Sequence, residues 1–132
     1  MDITLGISIL IPLFNGIEFL ETSINSIKNQ TYTKWEVIIG INGHNIDSEV
    51  YLKAKEYENE KIYVKWYSTK NKVDTLNEMI KDCNYNVVCL LDVDDYWLDN
   101  KLEKQIKIWE TGKYDVIGSK CQYFGRVFQW LG

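Results

Sequence analysis

The sequence predicts an α/β fold, a mostly parallel sheet flanked by helices on both faces. Short runs rich in β-branched residues alternate with stretches whose apolar residues recur at helical spacing. The connections between them are brief. The strand-like runs are apolar throughout instead of alternating, as expected of strands covered on both sides.

The first run, Ile7 to Phe14 (ISILIPLF), reads as a buried strand punctuated by Asn15 and Gly16. From Ile17 to Asn29, Ile17, Phe19, Leu20, Ile24 and Ile27 fall largely on one face, with Glu18, Glu21, Asn25 and Lys28 outside, so the segment is an amphipathic helix. Trp35 to Ile41 (WEVIIGI) is a second apolar strand, ended by Asn42-Gly43, residues that tolerate positive φ. Asp47 or Ser48 caps a second helix carrying Val50, Tyr51, Leu52, Ala54 and Tyr57. Ile62 to Tyr67 (IYVKWY) is a third strand. Val73 to Cys83 is a third helix, with Val73, Leu76, Met79, Ile80 and Cys83 at helical intervals and Asp74, Lys81 and Asp82 facing water. Val87 to Leu91 (VVCLL) is the most apolar strand and runs directly into Asp92-Val93-Asp94-Asp95. A charged helix over Asn100 to Glu110, with Leu102, Ile106 and Trp109 inward, leads to a further strand over Val116 to Tyr123. No repeat, low-complexity tract or linker interrupts this order.

A length of 132 residues with 45% hydrophobic content supports one core, so residues 1–132 are expected to form one globular unit. A net charge of −4 argues against a nucleic-acid-coating surface, which needs clustered Lys and Arg; Lys70 and Lys72 are only a local pair. Cys83, Cys89 and Cys121 are odd in number and lack CxxC spacing, so mostly buried, reduced thiols are expected in place of disulfides or a zinc site. No basic segment precedes a long apolar stretch at the N-terminus, and no run approaches the roughly 20 apolar residues that cross a bilayer. A soluble, cytoplasmic chain is the expectation.

Ligands of open α/β sheets bind beyond the carboxyl ends of the strands. Three polar clusters fall there: Asn15-Gly16, Asn42-Gly43-His44 and the acidic run. The acidic run carries the strongest signal, because Mg²⁺ and Mn²⁺ prefer carboxylate oxygens and need only one or two, keeping other positions for water and phosphate. Asp92 and Asp94 share a side if the strand continues, whereas a turn would let Asp95 join Asp94. A solvated acidic loop or a helix cap is the plainer alternative. His44 is the only histidine, which rules out a His-rich zinc site and makes a surface-loop role the plain reading. Lys72, opening the third helix, either meets a phosphate together with free backbone N–H groups or is simply solvated. Asn77 lies within an apolar helical face and would need a partner if buried.

Four segments, SILIPLFN (Ser8 to Asn15), FLETSINSIKNQTYTKWEVII (Phe19 to Ile39), KVDTLN (Lys72 to Asn77) and LLDVDDYWLDNKLEKQ (Leu90 to Gln105), resemble the N-terminal half of the family 2 glycosyltransferases in order and spacing. The resemblance implies a Rossmann-like GT-A nucleotide-sugar-binding half, with the nucleoside over the loop after the first strand near Pro12, Phe14 and Asn15. Family members often carry an Asp-Gly pair after the second strand whose carboxylate accepts the uracil imide N–H. Asn42 stands at that position here, and an amide oxygen accepts the same bond. By the same resemblance Lys72 approaches the nucleotide, Asp92 contacts the ribose or nucleotide, and Asp94, with Asp95 beside it, holds Mn²⁺ or Mg²⁺. The implied reaction is inverting transfer from a nucleoside diphosphate sugar, UDP-linked, to a hydroxyl of a glycan, protein or lipid. The general base of the family lies in the second half. Nothing after Asp115 is acidic, so the acceptor-binding half is expected to be absent and the domain truncated. Two alternatives stay open: a nucleotide-sugar-binding module without transfer, and a module that dimerises through the hydrophobic segment Tyr123 to Leu131, with Phe124, Val127, Phe128 and Trp130.

Overall fold

The computed structural model describes residues 5–122. Four strands, β1 (Ile7–Leu13), β2 (Trp35–Ile41), β3 (Ile62–Trp66) and β4 (Val87–Leu90), alternate with four helices, α1 (Leu20–Lys28), α2 (Glu49–Lys55), α3 (Lys72–Lys81) and α4 (Lys101–Trp109). A 3₁₀ turn over Ile17–Phe19 leads into α1. The sheet is parallel throughout, in the order β3-β2-β1-β4. The chain therefore winds from β1 outward to β3, then returns past its start to lay β4 on the other side of β1. Because parallel crossovers are right-handed, this reversal sends the returning helix to the opposite face. One core cluster joins α1, α2 and α4 to the face of Ile7, Ile9, Ile11 and Leu13. A smaller one seats Met79 of α3 on Leu10 and Ile38. Gly40 permits that seating, since a Cβ there would stand 2.5 Å from the Met79 sulfur.

β1 and β2 are buried almost throughout, as their unbroken apolar runs predict. Pro12 in the central strand needs a physical reason, because proline cannot donate to a ladder. Leu91 N donates to Leu10 O at 3.0 Å and Asn42 N to Leu13 O at 3.2 Å. Backbone groups of alternate residues point to alternate sides, so Pro12 faces β4's side. Pairing with β4 stops at Leu10 and Leu90, and the missing N–H costs no ladder bond.

Several expectations are corrected. VVCLL is not a strand covered on both faces: Val88 and Leu90 are exposed, Leu90 at 58%. They share the face of Ser8 and Leu10, but α3 lies over β1 and β2 and leaves this edge uncovered. Val73 and Ile80 of α3 are exposed for a related reason, because one helix on a sheet buries only a narrow stripe, here Thr75 and Met79. Asn77 is exposed too and needs no buried partner. Residues 116–122 form no strand; Asp115, Val116 and Ile117 line a cleft of about 320 Å³ against β4 and α4, and Val116 is largely exposed. Tyr123, with the hydrophobic segment through Leu131, lies outside the described residues. The thiols are less buried than expected, Cys83 and Cys89 being half-buried and Cys121 exposed, although all three are free. Ser48, not Asp47, caps α2, its hydroxyl accepting from Tyr51 N at 3.2 Å.

Candidate functional site at the switch point

The reversal between β1 and β4 makes a switch point, the place beyond the carboxyl ends of the strands where open α/β sheets bind ligands. Phe14, Asn15 and Gly16 leave β1; Asp92 to Asp95 leave β4. The two loops touch: Gly16 takes φ 99°, and a Cβ on it would stand 3.0 Å from the Val93 side chain. Both the positive φ and the close approach favour glycine here.

The acidic run does turn. Asp95 N donates to Asp92 O at 3.0 Å, so the strand ends and the three carboxylates crowd one loop. Burial, followed by the charges of Asp94 and Asp92, pushes the Asp95 carboxyl above its usual range, while Lys72 opposes the shift. Lys72, the first residue of α3, places its ammonium 2.5 Å from Asp92 in an exposed ion pair. The predicted nucleotide contacts Lys72 and Asp92 are thus brought together as an ion pair. Among the described residues, no group of three or more His, Cys, Asp or Glu side chains is arranged to hold a metal ion. Asp94 and Asp95 remain a two-carboxylate set of hard oxygen donors, a kind of set that suits Mg²⁺ or Mn²⁺. Pro12 lies at the end of β1, Phe14 is 51% exposed and Asn15 is exposed, whereas Asn42 is nearly enclosed at 4%.

The acidic loop is held by residues whose roles the sequence did not disclose. The Ser23 hydroxyl, on the inner face of α1, lies 2.6 Å from Val93 O and 2.5 Å from Asp95 O, bracketing the turn. Val93 and Trp97 point into the core and anchor the loop from within. Gln30, buried just beyond α1, donates to Leu98 O at 2.7 Å and Ser26 O at 3.1 Å while its carbonyl accepts from Leu102 N at 3.0 Å. It thereby satisfies one of the free N–H groups at the start of α4. The signal was present in the helical spacing: Ser23 and Gln30 fall on the stripe of Leu20, Ile24 and Ile27, where a polar residue must find a buried partner.

At the ends of β1, β2 and β3 stands a further group. The His44 and Phe14 rings lie 5.3 Å apart, His44 Nε2 is 2.5 Å from Phe14 O, and Trp66 Nε1 donates to His44 O at 2.6 Å. Gly43, at φ 74°, lets the Phe14 ring come so close that a Cβ would stand 2.5 Å from it. His44 is therefore engaged with the β1 loop and is not a free surface histidine.

A parallel sheet flanked by helices, with an acidic turn at its switch point, is an α/β fold, and its solved structural neighbours are GT-A glycosyltransferases. The glycosyl transferase family 2 profile matches residues 8–131, and the chain belongs to that family. Over 121 residues it is 26% identical to the Escherichia coli UDP-Glc:alpha-D-GlcNAc-diphosphoundecaprenol beta-1,3-glucosyltransferase WfgD, covering 86% of this chain and 47% of that protein. Residues 1–349 of Staphylococcus aureus TarS, crystallised with UDP-GlcNAc, superpose with a TM-score of 0.70 at 19% identity, over 81% of this chain and 32% of that one. The Pyrobaculum calidifontis mannosyltransferase PcManGT, in complex with GDP-Man and Mn²⁺, superposes with a TM-score of 0.58 at 18% identity, over 69% and 28%. The chain spans less than half the length of each of these proteins. No helix among the described residues is long and apolar enough to cross a membrane.

Proposed function

We propose that this chain is the donor-binding half of an inverting glycosyltransferase that uses a nucleoside diphosphate sugar, UDP-linked, with Mn²⁺ or Mg²⁺. The observation that carries the proposal is the meeting of Lys72, Asp92 and the Asp94-Asp95 turn at the switch point between β1 and β4. The names of the relatives support a nucleotide-sugar donor, since TarS is crystallised with UDP-GlcNAc, PcManGT with GDP-Man and Mn²⁺, and WfgD is named for UDP-Glc.

In this reading Phe14 walls the nucleoside, Pro12 and Asn15 shape its loop, and the Asn42 amide oxygen accepts the base imide N–H. Asp92 accepts from a ribose hydroxyl, and Lys72 exchanges part of its pairing with Asp92 for the donor phosphates. Asp94 and Asp95 hold the divalent cation, which supplies charge neutralisation on the departing diphosphate. Burial first, and then the charges of Asp94 and Asp92, raise the Asp95 carboxyl, and a cation beside the pair would offset the repulsion between the carboxylates. Inversion requires a base that takes the acceptor's proton on the face opposite the leaving group. We assign that base to an acceptor-binding part beyond this donor half, in keeping with the short span of its relatives that the chain matches.

Calorimetric titration with UDP and GDP, with and without Mn²⁺, tests the reading. The expected result is uridine-preferring, metal-enhanced binding that weakens at least tenfold in Asp94→Ala. Equal binding by Asp94→Ala in Mn²⁺ would overturn the metal assignment. The second reading is a nucleotide-sugar-binding module without transfer of its own. It predicts the same titration but no glycosylated product with any acceptor.

A further inference from the structure

We infer that His44 is a positioning residue for the nucleoside subsite, clamping the β1 loop in the shape that presents Phe14 and Asn15. The inference rests on the nucleotide reading above and names a residue to which that reading gives no role. A carbonyl oxygen only accepts, so the short approach of His44 Nε2 to Phe14 O means that this nitrogen carries the proton. The His44 carbonyl in turn accepts from the Trp66 indole. One residue therefore ties the ends of β1, β2 and β3 in series. Among the described residues, the other tie from the β2 side is Asn42 N, which reaches Leu13 O, one residue earlier and still within the strand. Phe14 is half exposed and lacks the core packing that fixes Val93 and Trp97 in the opposite loop. Its orientation depends on local ties of this kind. Gly43 fits the same account, because its missing Cβ is the space the Phe14 ring occupies. Freed from the clamp, the loop samples other orientations and the nucleoside must order it on binding, a cost that falls on affinity.

The test compares wild type with His44→Ala, His44→Phe, His44→Gln and Trp66→Phe, each as the full chain, by titrating UDP, UMP and Mn²⁺ alone and by thermal melting. His44→Phe keeps a ring against Phe14 but cannot donate; His44→Gln restores an N–H at similar reach. UDP and UMP affinities are expected to fall about five- to tenfold in His44→Ala and His44→Phe, the size of one net hydrogen bond. They should return to within about twofold of wild type in His44→Gln. Trp66→Phe should show a smaller loss in the same direction, and Mn²⁺ binding should be unchanged in all four. Wild-type affinity in His44→Phe, or losses that follow melting temperature instead of the donor N–H, would overturn the clamp while leaving the nucleotide reading intact. Failure of the wild-type chain to bind either nucleotide would remove the nucleotide reading and the clamp with it.

Discussion

Ser23 shows how much of the candidate site depends on single polar atoms. Its hydroxyl brackets the acidic turn between Val93 O and Asp95 O, and both carbonyls belong to the loop that carries the proposed metal ligands. Ser23→Ala should cost about 1 kcal/mol in urea denaturation, the ordinary net worth of one buried hydrogen bond. Asp95 offers a test of the opposite sign. Its carboxyl is pushed above the usual range, chiefly by burial and then by Asp94 and Asp92, so between the unfolded and folded values the folded chain binds more protons. Stability contributed by this group is therefore lost as pH rises through that window. Without divalent metal, Asp95→Asn should melt slightly above wild type at neutral pH, and the difference should vanish below the usual aspartate range. Melting curves across pH check it, and a destabilised variant at neutral pH would contradict the assignment.

At the scale of elements, Gln30 joins α1, the loop ending at Leu98 and the first turn of α4 through three backbone partners. Removing its amide leaves a buried carbonyl and a helix N-terminal N–H without their partner. Gln30→Ala should accordingly cost about 2–4 kcal/mol, clearly more than Ser23→Ala, in the same denaturation experiment. The element boundaries themselves were mostly legible. β1 and β2 follow from unbroken β-branched runs, and α1 from the spacing of Leu20, Ile24 and Ile27. The failures share one cause. Val88 and Leu90, like Val73 and Ile80, are apolar residues that no described element covers, and composition reports hydrophobicity without reporting what lies on top. Val116 and Ile117 misled for the same reason, being β-branched residues that settle beside β4 without pairing with it.

At the scale of the whole molecule, the sheet is unevenly dressed among the described residues, with three helices on one face and one on the other and β4 at its edge. This unevenness predicts two classes of core substitution. Ile39→Ala, at the fully buried centre of β2, should cost about 2–5 kcal/mol, whereas Leu90→Thr should cost less than about 1 kcal/mol.

What the sequence by itself determined was the alternation of strands and helices, the parallel sheet and the identity of the acidic run, since each is written in local periodicity or in adjacent residues. It also carried the family resemblance, which the family 2 match over residues 8–131 bears out. Only the tertiary structure decided that Lys72 meets Asp92, that Ser23 brackets the turn, and that His44 reaches Phe14. These pairs are separated by 20 to 72 residues, and they meet because β4 returns beside β1 and the loops of neighbouring strands open at one end of the sheet. Contacts of that kind depend on strand order, which periodicity along a chain does not contain.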